Sequence, residues 1–172
     1  MQSTQICLLK IHLIFIAMQP KFPLFIAFLL LSFQLAAQSS FITKYRPLAD
    51  SLGKAYGVPA SVILGIGIIE SSGGTGRNVR LLHNYFGIVG KNHLRKTKGI
   101  RTRYKQYPND TASFVDFCKL LTRKKFYEKL KGNRNHKEWI LALSKSGYSE
   151  KPEVWRKLIL STIQKNNLAK FD

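Results

Sequence analysis

The stretch VILGIGII, Val62–Ile69, constrains the fold of this chain more than any other. It is apolar nearly all round. As a helix it has no polar side to offer water, so other elements must surround it. Its flanks agree with a helix: Pro59 suits the first turn, and Gly73 or Gly74 suits the end. Gly65 and Gly67 lie inside the run, where each costs about 1 kcal/mol against alanine. The expected reason is close approach of another backbone. A carboxylate, Glu70, closes the run, and the small residues SSGGTG follow at once.

The remaining segments supply the surround. Residues 41–57 have apolar positions near helical spacing and stop at Gly57. NDTASFVDFCKLLTR opens on the good N-cap residues Asn109 and Asp110. KKFYEKLK is a short amphipathic continuation that ends before Gly132. NHKEWILALSKSG is capped by Asn135 and ended by Gly147. KPEVWRKLILSTIQKNN has Pro152 near its start and Val154, Trp155, Leu158, Ile159 and Ile163 as its expected buried stripe. Between these helices, HLRKTKGIRTRYKQYP alternates loosely around Lys98-Gly99, as in a two-stranded hairpin. It is rich in Lys and Arg and has no acid. The expected architecture is therefore mainly α, formally α+β, with one small and very basic β-hairpin lobe.

The N-terminus has a different character. From Met18 the chain reads MQPKFPLFIAFLLLSFQLAAQSS: a short start with Lys21, an apolar core, then small residues. That is the layout of a secretory leader, with cleavage expected after Ala37 and Met18 as an alternative start. The apolar core is shorter than the roughly 20 residues of a membrane-spanning helix. The expected organisation is a leader over 1–37, one domain over 38–172, and export to the periplasm or the exterior. Of the chain's 28 basic residues the leader holds two, Lys10 and Lys21, and none of its 9 acids. The mature domain would keep 26 basic residues and a net charge of +17. Such a charge attracts polyanions, either nucleic acid or an anionic cell envelope, and export favours the envelope. Cys118 is then the single cysteine and reads as a buried structural thiol. His83, His93 and His136 are scattered among polar and basic residues, so no metal site and no cofactor are expected.

Glu70 carries two readings. Apolar neighbours and the negative end of a helix dipole both disfavour its ionised form, which suits a general acid at neutral pH. The glycines after it leave room for a chain-like substrate. Alternatively it caps a loop, or pairs with Arg77 or Arg80, as structural carboxylates do.

Downstream motifs bear on that choice. GVPASVILGIGIIESSGGTG, HNYFGIVG, YKQYPNDTASFVDFCKLL and SGYSEKPEVWRKLI follow in order over roughly residues 45–172. Together they resemble the bacterial cell-wall N-acetylglucosaminidases of glycoside hydrolase family 73, which include autolysins and flagellar peptidoglycan-cleaving domains. NYFGIVG, residues 84–90, is close to that family's Asn-Leu-Phe-Gly-Ile-Lys-Gly segment. The resemblance implies a lysozyme-like helical fold with a glycan groove and cleavage of the β-1,4 bond after N-acetylglucosamine in peptidoglycan. It implies that Glu70 is the general acid, that Tyr148 of Gly147-Tyr148 is the functional tyrosine, and that Asn84, Tyr85 and Phe86 line the groove. Tyr107 joins them as a substrate-binding candidate. Core packing is the competing reading for Tyr85, Phe86 and Tyr107, and the favoured one for Phe86.

One departure stands out. The family often has a second glutamate in its hairpin, and here no acid occurs between Glu70 and Asp110. Ordinary glycoside hydrolysis uses two carboxylates, roughly 5–5.5 Å apart for retention and 6.5–9.5 Å for inversion. Three substitutes are open: the 2-acetamido group of the substrate as internal nucleophile, Asp110 or Glu150 swinging into the groove, or glycan binding without efficient turnover. The alternatives to a glucosaminidase are a lytic transglycosylase or muramidase, a peptidoglycan-binding module, and a nucleic-acid binder resting on charge alone. The leader and the lack of a nucleic-acid motif argue against the last. A monomer is the expected state.

Overall fold

The computed structural model describes the backbone of residues 21–172 and the side chains of residues 38–172. The expected leader over 1–37, with its alternative start at Met18, lies outside the fully described residues. The chain divides at Ala36–Ala37, and every side chain described below belongs to the unit Ala37–Asp172. Among the described residues no helix is long and apolar enough to cross a membrane.

Helix α1 (Lys21–Tyr56) is followed by the central helix α2 (Ala60–Glu70). Every residue of α2 from Ala60 to Ile68 is buried, as an all-round apolar helix must be. Its first turn is satisfied from the far end of the chain: the Asp172 carboxylate accepts from Ser61 N at 2.8 Å and Ser61 Oγ at 2.7 Å. Two short helices follow, α3 (Arg77–Leu82) and α4 (Leu94–Lys98). Then come α5 (Asp110–Thr122), α6 (Tyr127–Leu130), α7 (His136–Ser144) and α8 (Pro152–Lys165), and a 3₁₀ turn at Leu168–Phe171. The caps read from the sequence form: Asn109 accepts from Ala112 N, and Asn135 accepts from Lys137 N.

The α2 glycines do make room, but for side chains rather than backbone. A Cβ on Gly65 would come within 2.8 Å of Ile163 Cγ1 on α8, and one on Gly67 within 3.0 Å of Phe41 Cζ on α1. The stripe on α8 also differs in part from the expected one. Trp155, Ile159 and Ile163 are buried, while Val154 and Leu158 are 64% and 47% exposed; Thr162 takes the place on the inner face.

The expected β-hairpin lobe does not form. Among the described residues there is no strand, only a single antiparallel bridge between Val89 and Tyr104. Around it Gly90 N donates to Arg103 O and Lys105 N to Ile88 O. Beyond it pairing stops, because Leu94–Lys98 winds into helix and Gly99 ends that helix at φ +67°. Leu, Arg and Lys are good helix formers and a left-handed glycine is a natural helix stop, so local preference overrides the loose alternation. The Asn92 side chain replaces the missing ladder by donating to Thr102 O and Tyr104 O.

Candidate active site

Glu70 is the last residue of α2. The chain turns away immediately after it. Ser71 is buried, donates through Oγ to Gly67 O and accepts from Gly74 N at 2.8 Å. Ser72, Gly73 and Gly74 then take positive φ, which packs SSGGTG into a tight turn and leaves the end of the helix open. Neither Arg77 nor Arg80 pairs with Glu70 among the described ion pairs, and Arg80 donates to Thr75 O instead. The partner of Glu70 is one that the sequence pattern hides: Trp155 Nε1, in the first turn of α8, donates to Glu70 Oε1 at 2.8 Å. Burial pushes the Glu70 carboxyl above its ordinary value, and the indole bond pulls it part of the way back.

The other carboxyl oxygen faces Gly87. A Cβ there would lie 3.4 Å from Glu70 Oε2, and Gly87 sits at φ +64°, where a side chain is strained. The glycine of NYFGIVG is thus what lets this segment pass close over the acid. A groove of about 690 Å³ opens at this point. Its walls include Glu70, the 86–89 segment, Arg103 and Tyr104, the end of α5 at Arg123-Lys124, and the 147–151 loop.

Tyr148 lies in that loop. Its hydroxyl donates to Phe86 O at 2.9 Å, and its ring packs on Trp155 with centroids 5.3 Å apart. Burial, and then the negative charge of Glu70, push its phenol well above the ordinary value, so it stays neutral. Glu70, Trp155 and Tyr148 therefore form one packed group: the acid on the indole, the phenol ring against the indole face.

The other sequence candidates are placed as follows. Phe86 and Glu150 line the groove together with Glu70 and Tyr148. The Phe86 ring itself is buried, stacked on Phe117 with centroids 4.2 Å apart, so its contribution to the wall is mainly backbone. The Glu150 side chain is 91% exposed and its Oε1 is 3.7 Å from Arg103 Nη2. Asn84, Tyr85, Tyr107 and Asp110 are not among the groove's walls. Asn84 is fully buried and stitches its own turn, donating to Ile88 O and Lys105 O and accepting from Ile88 N. The Tyr107 hydroxyl donates to Asp116 at 2.8 Å. Tyr45 OH donates to Asp110 at 2.6 Å and therefore accepts from Tyr85 OH. Asp110 also receives Lys44 at 3.1 Å and His83 at 2.8 Å. Burial pushes the Asp110 carboxyl up, but the bonds from Tyr45, His83 and Lys44 more than reverse this and hold it well below the usual range. Its oxygens are committed to tying α5 to α1 and to the 83–85 segment.

Among the described residues no cluster of His, Cys, Asp and Glu could hold a metal ion. Cys118 is buried, and burial pushes its thiol up to about 12. The chemistry available in the groove is thus that of one desolvated carboxyl group, a neutral phenol and a ring of cations.

The sequence matches the glucosaminidase family model, described as mannosyl-glycoprotein endo-beta-N-acetylglucosaminidase, over residues 46–168. No individually curated protein matches it. Among solved structures, the catalytic domain of the autolysin Auto from Listeria monocytogenes is similar with a TM-score of 0.66 at 22% identity, covering 79% of this chain and 88% of that one. An N-acetylmuramoyl-L-alanine amidase from Staphylococcus aureus gives 0.67 at 22% identity, over 80% of this chain and 43% of that one. A C-terminally truncated glycoside hydrolase domain of FlgJ from Salmonella typhimurium gives 0.60 at 20% identity, over 76% and 97%. At these identities the likeness is one of fold, the mainly helical, lysozyme-like fold that the motifs imply.

Proposed function

This chain belongs to the glucosaminidase family of glycoside hydrolases, family 73, and from that premise we propose that it is an exported peptidoglycan hydrolase with Glu70 as its general acid. It would cut the β-1,4 bond that follows N-acetylglucosamine. The observation that carries the reading is the setting of Glu70: a half-buried carboxyl at a helix end, held by an indole N–H, opening into a groove. Burial that raises a carboxyl above its ordinary value favours the proton that a general acid donates to the leaving glycosidic oxygen.

For the second role the favoured group is the substrate's own 2-acetamido oxygen, acting as internal nucleophile. Asp110 is already spent on three partners, and Glu150 is open to water and paired with Arg103. The neutral phenol of Tyr148 presents its oxygen lone pairs to the positive charge that develops on the sugar. The chain's excess of basic residues suits an anionic envelope, and the leader expected over residues 1–37 would take the chain there.

Purified cell walls digested with wild type and Glu70→Gln test the reading. Loss of the general acid is expected to lower the rate by about 10²–10⁴-fold while circular dichroism stays unchanged. Undiminished release of fragments by Glu70→Gln refutes the mechanism. One acid also suffices for a lytic transglycosylase, and mass spectrometry of the same digests separates the two: reducing N-acetylglucosamine ends against anhydro-muramic ends.

A further inference from the structure

The cations around Glu70 do not come from one basic run. Arg103 stands beside the Val89–Tyr104 bridge, Arg123 and Lys124 follow α5, and Lys151 precedes α8. Three segments distant in sequence each bring positive charge to the walls of one groove. The acids there, among the described residues, are Glu70 and Glu150. Glu150 meets Arg103 at 3.7 Å, with both side chains mostly in water, so that pair is weak. Arg123, Lys124 and Lys151 are in no ion pair among the described residues, although Arg123 acts through space on Asp116. Lys124 reaches only the Ser146 carbonyl, at 3.4 Å. Glu70 is held by the Trp155 indole at 2.8 Å and is in no ion pair with these cations among the described residues.

Like charges gathered at a cleft repel one another, and an anion in the cleft relieves the repulsion. A neutral N-acetylglucosamine polymer brings no such anion. A glycan whose alternate sugars carry carboxylates does. Resting on the hydrolase reading above, we propose that Arg123, Lys124 and Lys151 are specificity residues that bind substrate carboxylates beside the scissile bond, so that the groove selects carboxylate-bearing glycan over neutral glycan. The carboxylates belong either to stem peptides or, where no peptide is attached, to the lactyl group.

The test compares four substrates cut by the full chain: native peptidoglycan, the same material with its carboxyl groups amidated, strands stripped of stem peptides by an amidase, and chitin oligomers. New reducing ends are counted. Native material is expected to exceed amidated material in kcat/KM by about fivefold, the effect of one or two partly exposed ion pairs. Stripped strands cut at the native rate identify the lactyl carboxylate, and stripped strands cut at the amidated rate identify the stem peptide. Arg123→Gln with Lys124→Gln is expected to bring the native-to-amidated ratio toward one, whereas Lys137→Gln, on α7 and outside the groove, leaves the ratio where it was. Equal rates on native and amidated walls overturn the proposal while leaving the hydrolase reading intact. If no substrate is cut, the hydrolase reading fails and the proposal is judged on retention of the chain by native and amidated walls; equal retention overturns it.

Discussion

Replacing Trp155 by Phe removes the one hydrogen bond that Glu70 receives among the described residues and little else of the ring's character. The bond is 2.8 Å long, and its acceptor is charged at high pH and neutral at low pH. A hydrogen bond to a neutral group contributes about 0.5–1.5 kcal/mol, and one to a charged group about 1.5–3 kcal/mol. The cost of Trp155→Phe should therefore be about 1 kcal/mol larger where Glu70 is ionised than where it is protonated. The loss of ring area is the same at every pH and cancels in that difference. Burial raises the folded-state value of Glu70 above the unfolded one. Stability linked to Glu70 is then fully present below the unfolded value and is lost as pH rises through the folded value. The indole bond moderates that loss, and the variant steepens it. Urea unfolding of wild type and variant across a pH series gives the gap directly. In activity, the alkaline limb of kcat/KM should move to higher pH, because the acid keeps its proton longer. A gap that does not change with pH refutes the reasoning, since the indole would then not be reading the charge of Glu70.

Tyr148→Phe loses the bond to Phe86 O, about 1 kcal/mol of stability by urea unfolding; the proposed role at the sugar predicts that steady-state kinetics show a fall in kcat with KM little changed, where a mere tether would move both. Asp110→Asn should cost about 1.5–3 kcal/mol at neutral pH. Because the folded-state value of Asp110 is depressed, its contribution is present above the unfolded value and fades as pH falls through the folded one, so the cost should shrink in unfolding measured under acid conditions. Gly65→Ala gains about 1 kcal/mol of helix propensity but drives a Cβ into Ile163, an overpacking cost of about 1–3 kcal/mol. Combined with Ile163→Ala, the total loss should be smaller than the sum of the single losses in thermal unfolding.

Periodicity makes the longer helices legible because each has a one-sided or all-round apolar pattern, and two of them add a cap that hydrogen-bonds locally, at Asn109 and Asn135; the short helices α3 and α4 carry no such signal. The 88–106 segment failed where local preference and long-range pairing compete: alternation around Lys98-Gly99 suggested strands, and a helical turn won. The α8 stripe departs from its period at Val154 and Leu158, because period alone fixes the width of an apolar face but not its centre. In the site, Glu70 was legible from its isolation at the end of a greasy run. Trp155 was not, since an indole in a buried stripe reads as packing until the fold shows where its N–H points. Asn84, Tyr85, Tyr107 and Asp110 carry polar atoms beside the motif, and those atoms are consumed in holding it. Arg123 and Lys124 were invisible as site residues because nothing local links the end of α5 to the end of α2.

The proposed reading accounts for how closely the fold encloses Glu70. Gly87 passes over one carboxyl oxygen and Trp155 holds the other, so a second protein carboxylate has little room at hydrogen-bond range of Glu70. Were one there, the two charges would repel, and one of the pair would have to take up a proton. Under the proposal above, the cations in the groove act at longer range and attract an anionic strand. In that reading burial favours the protonated form of the proposed donor, and the substrate brings the negative charge. In the proposed mechanism the partner to Glu70 arrives with the sugar, and the groove would have to seat that sugar so that its acetamido oxygen and the glycosidic oxygen lie on opposite sides of the anomeric carbon.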